Sequence, residues 1–263
     1  MGERGQKGDR SRRRKAKRSR GRKAEPVQQE LFKQRGGKRQ GAGRPPKGYR
    51  VGSPHKTREV LHARFPVHIT LRVTREIGSL RKKAMYHAIR QATLTSAASG
   101  RIRIVHLSIQ RTHLHMLVEA KSKKLLAAGV QGFQISAAKH LNAAYGKVTR
   151  GQRRQGAVFV DRYHAEVVRS PTQMRHALGY ILMNFRKHRE DQVAPMDQWK
   201  VDWFSSAWTF PHWSEYGDEA FLWRGPPKYE PLWVWRPQTW LAAEGWKKVS
   251  PTISCHEIPS SGR

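Results

Sequence analysis

Between residues 64 and 195, apolar and polar side chains follow one another in two periods, two and 3.6, and each switch of period marks an element. Val67-His68-Ile69-Thr70-Leu71-Arg72-Val73 alternates strictly, as a strand with one buried face does. Residues 79–97 change to helical spacing, with Leu80, Ala84, Ile89 and Leu94 near one side and Ser79 placed to cap the start. Two strand-like runs follow, 102–109 and 113–119. The gap Gln110-Arg111-Thr112 is short enough to require an antiparallel hairpin. Residues 123–145 read as a second helix with Leu125, Val130, Phe133, Ala137 and Leu141 on its apolar side, and 157–168 read as a fourth strand. A third helix spans 171–188. Ser170 is its N-cap, Pro171 occupies the first helical position, and Met174, Ala177, Leu178, Ile181 and Leu182 face inward. The order β-α-β-β-α-β-α predicts an α+β fold, a ferredoxin-like split βαβ sheet with an added C-terminal helix that bears Tyr180.

The pattern stops at both ends. Residues 1–53 hold about 19 basic side chains and few large apolar ones, too few to offset the entropy of folding, and read as a disordered basic arm. Within it Gly43-Arg44-Pro45-Pro46-Lys47 resembles an AT-hook, in which Arg44 and Lys47 would meet the minor groove and phosphates; a generic solvated basic tail explains the same residues. Beyond Pro195 all nine tryptophans fall between Trp199 and Trp246, among prolines and glycines with little helical period. Residues 196–263 therefore read as an irregular appendage packed on the domain or on DNA. Packing is the reading for most of these indoles; a stacking platform for unpaired bases would have to stay exposed.

Charge narrows the partner. A formal net charge of +33, from 52 Lys+Arg against 19 Asp+Glu, makes a polyanion the expected ligand, nucleic acid first. The basic stretch lacks the interleaved apolar face of a membrane-surface helix, and there is no apolar run long enough to span a bilayer. A single cysteine, Cys255, cannot form an internal disulfide or a multi-thiolate zinc site, which fits a reducing, cytoplasmic setting.

His113 and His115 lie two apart on a predicted strand, so both imidazoles leave the same face while Leu114 points to the other. Such a pair can grip one metal ion, although an exposed or core-satisfied pair has the same spacing. Tyr180 and Asn184 lie four apart on the third helix and share a face. The phenol could attack a phosphate and the amide oxygen could complete the ligand set; a packing tyrosine is the plainer alternative.

His113-Leu114-His115 resembles the His-hydrophobic-His element of the HUH nucleases, and Tyr180 with Asn184 resembles the single catalytic tyrosine helix of their transposase branch. Ile104-Val105-His106-Leu107-Ser108-Ile109-Gln110, Gly156-Ala157-Val158-Phe159-Val160-Asp161-Arg162-Tyr163-His164 and Tyr180-Ile181-Leu182-Met183-Asn184 are similar to the REP-associated tyrosine transposases over residues 65–188. Many relatives have Asn-Pro where this chain has Asn184-Phe185-Arg186, so the helix here can run further. The resemblance implies metal-dependent cutting and rejoining of single-stranded, hairpin-associated DNA. Tyr180 would be the nucleophile of a covalent 5′-phosphotyrosine, and His113, His115 and Asn184 the ligands of Mg²⁺ or Mn²⁺. No nucleotide cofactor is implied, because one phosphodiester is exchanged for another. Since an unperturbed tyrosine titrates near pH ~10, a nearby cation must favour the phenolate. Arg162, Arg186 and Lys187 are candidate phosphate contacts, with His188 beside them.

Two other readings fit the same scaffold: a non-catalytic DNA- or RNA-binding protein, and a domesticated transposase that retains the site by descent. The aromatic RNP sequence of RNA-recognition modules is missing from the central strands, Ile102-Arg103-Ile104-Val105 and His113-Leu114-His115-Met116. For the arm the expected outcome is simple. Deleting residues 1–53 should weaken DNA binding and flatten its log–log salt dependence by about 0.7 to 0.9 for each phosphate that the arm neutralises; an unchanged slope in a salt titration would mean that the arm touches no DNA.

Overall fold

A computed structural model describes residues 59–192, 200–216 and 230–259. The chain divides into Met1–Arg50 and Val51–Arg263. The basic arm, including Arg44 and Lys47, falls outside the described residues.

Four strands, β1 (Val67–Arg72), β2 (Arg103–Ile109), β3 (His113–Glu119) and β4 (His164–Val167), form one sheet in the order β2-β3-β1-β4. Every pairing is antiparallel, which is the ferredoxin-like arrangement. Alternation along the strands gives the sheet two different faces. Val67, Ile69 and Leu71 of β1, with Leu114, Met116 and Val118 of β3, are buried in a core shared with helices α1 (Lys83–Ser99) and α2 (Lys123–Thr149). His68, Thr70, His113 and His115 occupy the opposite face by the period of two.

That opposite face is covered by helix α3 (Pro171–Lys187). Its start is as expected: the Ser170 hydroxyl accepts from the Gln173 N–H at 3.2 Å, and Pro171 opens the helix. Met174, Leu178, Ile181 and Leu182 pack with Leu117 of β3 and Val105 of β2. Val105 lies on this side by alternation from Ile104, and the register shift between Ile104 and His106, a bulge, then returns Leu107 to the α1/α2 core. At α2 the Ser122 hydroxyl caps the Leu125 N–H, and a Cβ on Gly129 would lie 2.4 Å from Ile102 Cγ2. The glycine that weakens this helix on propensity is what lets it approach the sheet.

Three expectations need correction. The first helix starts at Lys83, not at Ser79, because residues 79–81 are tied to the β2–β3 turn. The Ser79 hydroxyl accepts from the Arg81 N–H, and the Leu80 N–H donates to the Arg111 carbonyl at 2.9 Å. The fourth strand is split: Phe159 bridges Val73 and Val160 donates to Arg72, a turn capped by the Asp161 carboxylate follows, and regular pairing resumes only at His164. In α2, Leu126 is buried and Leu125 exposed, one position out of phase with the expected apolar side.

Residues 200–216 and 230–259 add to the core of α3 and do not build one of their own. Val201, Phe210, Trp213, Leu241, Trp246 and Ile253 join Ile181, Met183 and Phe185 in one buried cluster. The same segments close the open edge of β2. Ile109 donates to the Phe204 carbonyl and Trp235 to the Ile104 carbonyl, both at 2.8 Å, so few backbone groups of that edge are left for another chain. Among the described residues no helix is long and apolar enough to cross a membrane.

A buried ion cluster holds the layers together. Arg81 gives a two-pronged hydrogen bond to Asp202, at 2.9 and 2.8 Å, and a third bond to the Ile109 carbonyl; Arg111 pairs with Glu190, just beyond α3. Asp202 is fully buried and Glu190 nearly so. Removing one member of a buried pair leaves the other uncompensated, at a cost of about 3–5 kcal/mol. Asp202→Ala should therefore lower unfolding free energy by about that amount in urea titrations, whereas a loss within about 0.5 kcal/mol, typical of surface changes, would show that the pair holds nothing.

Candidate functional site

β1 and β3 lie side by side with Thr70 opposite His115 and Arg72 opposite His113. This register, which no single segment encodes, brings His68 diagonally beside His115: His68 Nε2 and His115 Nδ1 are 3.1 Å apart, and Thr70 Oγ1 is 3.2 Å from the same Nδ1. His113 and His115 stand almost perpendicular with ring centroids 4.7 Å apart. A proton on His115 Nδ1 can be donated to His68 or Thr70, and the lone pair then resides on Nε2. That Nε2 is buried and has no hydrogen-bond partner.

α3 supplies the other half. The Tyr180 ring sits edge-on to His115 at 5.0 Å and to His68 at 5.8 Å. Helical spacing puts Asn184 one turn further on, where it is wholly buried, and neither its amide oxygen nor its nitrogen has a partner. Lys187 stands a further turn along with its ammonium 4.6 Å from the Tyr180 ring centre. His188 ends the helix 5.7 Å from the His113 ring.

Burial sets the charge state of these groups. It pulls His68 down to about 4, helped by His164, and His113 to about 4, helped by His188 and Arg72. His115 falls to about 2, from burial first and then the surrounding imidazoles and Lys187. His188 is lowered by burial and by Lys187. The imidazoles are therefore neutral at neutral pH, the form that ligates a metal. Burial pushes the Tyr180 phenol above its ordinary range. The protein groups alone do not favour the phenolate, so activation must come with whatever binds here.

Of the residues read from sequence, the structure brings together His113, His115, Tyr180 and Lys187, with Asn184 one turn from Tyr180. Arg162 is exposed on the loop before β4, away from regular structure. Arg186 serves packing instead. Its guanidinium donates to the Cys255 and Lys200 carbonyls and to Asp191, fastening α3 to the C-terminal segment, so it is withdrawn as a phosphate contact. His68 and Thr70 are the residues that sequence reasoning missed. The signal was present, since alternation from Val67 places 68 and 70 on the face away from the core, but their nearness to His115 depends on strand register.

A second group of ligand-type side chains, Glu215, Cys255 and His256, brings one atom from each within 4.8 Å. The Glu215 oxygens already accept from the Ser254 hydroxyl and the Cys255 N–H. Burial and the adjacent carboxylate push the Cys255 thiol up to about 11, so it remains protonated, and the group acts as a cross-tie within the C-terminal segment.

The family model described as "Transposase IS200 like" matches residues 62–184, from just before β1 to Asn184. No curated protein sequence matches. Among solved structures, a REP-associated tyrosine transposase bound to a REP hairpin is 16% identical, with 71% of this chain and 93% of that one covered, at a TM-score of 0.41. A candidate transposase from Deinococcus radiodurans R1 is 14% identical, with 55% and 99% covered, at a TM-score of 0.34. The family match spans the four strands, α1, α2 and α3 as far as Asn184: residues 62–184 of this chain match the IS200-like transposases, a family of DNA transposases.

Proposed function

We propose that the chain cuts and rejoins single-stranded DNA through a covalent bond between Tyr180 and a 5′ phosphate, at a divalent metal ion, Mg²⁺ or Mn²⁺, held by His113, His115 and Asn184. The observation that carries this reading is the pair of unsatisfied groups on facing elements: His115 Nε2 on the sheet and the Asn184 amide on α3. Buried polar atoms without partners cost about 1–3 kcal/mol each, and one ion bound by imidazole nitrogen and amide oxygen would satisfy both elements at once. Two neutral imidazoles and an amide oxygen are a donor set that fits such an ion. His68 and Thr70 would orient His115 from behind, as the outer partners of ligating histidines do.

When bound, a divalent ion neutralises charge developing on the non-bridging phosphate oxygens. The rest belongs to side chains. The Tyr180 oxygen forms a bond to phosphorus as the bond to the 3′ oxygen breaks. The phenol gives up its proton, and the leaving oxygen takes one to become a 3′ hydroxyl. Attack by a 3′ hydroxyl on the phosphotyrosine reverses the sequence and joins the strands. Bond for bond the exchange is balanced, so no ATP is consumed. Lys187, over the Tyr180 ring, is placed to meet a phosphate, and exposed Arg162 is a further phosphate contact. The hairpin in the matched transposase structure makes hairpin-bearing single strands the substrate to try.

Incubation of the full chain with such a strand and Mn²⁺ should yield a denaturant-resistant protein–DNA adduct. Tyr180→Phe should abolish it with DNA affinity almost unchanged, and His113→Ala or His115→Ala should each remove its metal dependence along with the product. An adduct from the phenylalanine variant, or full yield in chelator, would contradict the assignment. For the supporting residues the effect is graded: His68→Ala should weaken metal affinity about 10- to 100-fold, read as a shift in the Mn²⁺ concentration needed for half-maximal cutting. An unshifted midpoint would remove His68 from the site.

A further inference from the structure

Among the described residues, the C-terminal tryptophans fall into two classes. Trp203, Trp213 and Trp246 are buried, and Trp208 is half-buried against Trp203. Trp233, Trp235 and Trp240 keep 49%, 42% and 53% of their surface exposed, although the same segment buries Leu232 and Leu241. Packing explains the first class. It does not explain the second, because three large indoles left in water next to one another mark a binding surface more often than chance placement.

Their arrangement is specific. Residues 232–235 run extended along the edge of β2, anchored by the Trp235 N–H on the Ile104 carbonyl, so Leu232 and Val234 turn to the core while Trp233 and Trp235 turn out. Trp235 is shared by two adjoining hollows. One, of about 720 Å³, also takes in Trp233 and Phe210; the other, of about 610 Å³, takes in Trp240, Arg101, Arg103 and Lys121. Cations already lie over the rings: the Arg103 guanidinium is 5.8 Å from the Trp235 centre and the Lys248 ammonium 5.1 Å from that of Trp240. The acids nearby are occupied. Glu119 is buried, accepting from the Gln238 and Thr239 N–H groups and the Thr239 hydroxyl and lying 3.5 Å from Arg103, and Glu244 pairs with Lys247.

We infer that Trp233, Trp235 and Trp240, framed by Arg101, Arg103, Lys121 and Lys248, form a stacking surface for unpaired bases of single-stranded DNA, separate from the Tyr180 site. The inference deepens the reading of a single-stranded DNA substrate and rests on its DNA-binding half alone. Exposed aromatic faces beside a row of cations are what a strand without sequence preference needs, stacking for the bases and charge for the backbone. Glu119, on the rim of this surface, ends the strand that His113 begins, roughly 20 Å away at strand rise. The surface would hold the flank of a substrate whose scissile phosphate lies at Tyr180.

The test uses the full chain and a ten-nucleotide oligothymidylate with no hairpin, at about 0.3 M salt to weaken backbone attraction elsewhere on the chain. Tryptophan fluorescence should be quenched by this strand and much less by duplex DNA of equal length. Binding of a labelled oligothymidylate, followed by anisotropy, should weaken by about tenfold or more when Trp233, Trp235 and Trp240 are all changed to alanine, in line with the worth of base–aromatic stacking. The triple phenylalanine variant retains aromatic faces and should recover most of that affinity, which separates stacking from a folding defect. Tyr180→Phe should leave the quenching intact, so failure of the cleavage reading and failure of this one give different results. Equal quenching by duplex, or equal affinity of the alanine and wild-type chains, would overturn the inference.

Discussion

Alternation along β1 and β3 divides the sheet into an all-apolar face and a face carrying His68, Thr70, His113 and His115, and that second face must be covered without being filled by apolar side chains. Helix α3 meets the requirement only in part. Its apolar stripe packs where Leu117 and the bulged Val105 offer carbon, while Tyr180 and Asn184 fall where the sheet offers imidazoles. The site is the strip of the interface in which hydrophobic packing gives way to polar groups, among them the buried His115 Nε2 and Asn184 amide, which find no partner within the protein. Its neutral imidazoles and unpaired amide both follow from that burial.

The remaining structure fixes the distance between the two halves. Arg111 and His113 flank one end of the hairpin, and Glu190, the partner of Arg111, follows His188 by two residues. Arg81 and Asp202 extend the same cluster to the turn before α1 and to the C-terminal segment. A shift of α3 along the sheet would therefore part Glu190 from Arg111 and leave its buried carboxylate uncompensated. Arg186 serves the same end from the far side, holding α3 to the Cys255 and Lys200 carbonyls. The tail is thus part of the wall of the site's helix, and its exposed indoles are presented from a firm base.

The local code was legible and the long-range code was not. The order of elements along the chain, the cap at Ser170, and the common face of His113 and His115 all follow from local spacing. Ser79 looked like a cap because its hydroxyl does bond a backbone N–H two residues on, but in a turn bound to Arg111, a residue about 30 positions away. His68 and Thr70 needed the β1–β3 register, and the anchoring role of Arg186 needed knowledge of what packs beside α3. The tryptophans could not be sorted by composition, since burial of Trp213 and exposure of Trp240 depend on which face of an irregular segment meets α3.

The central claim is that Tyr180, set against the buried imidazoles, is the atom donor for a bond to DNA. Protease digestion of the chain after reaction with a hairpin-bearing single strand, followed by mass spectrometry of the peptide–nucleotide product, tests it most directly. The account predicts one modified peptide, carrying a 5′-linked nucleotide on Tyr180; a nucleotide on any other residue, or cut DNA ends with no linked peptide, would contradict it.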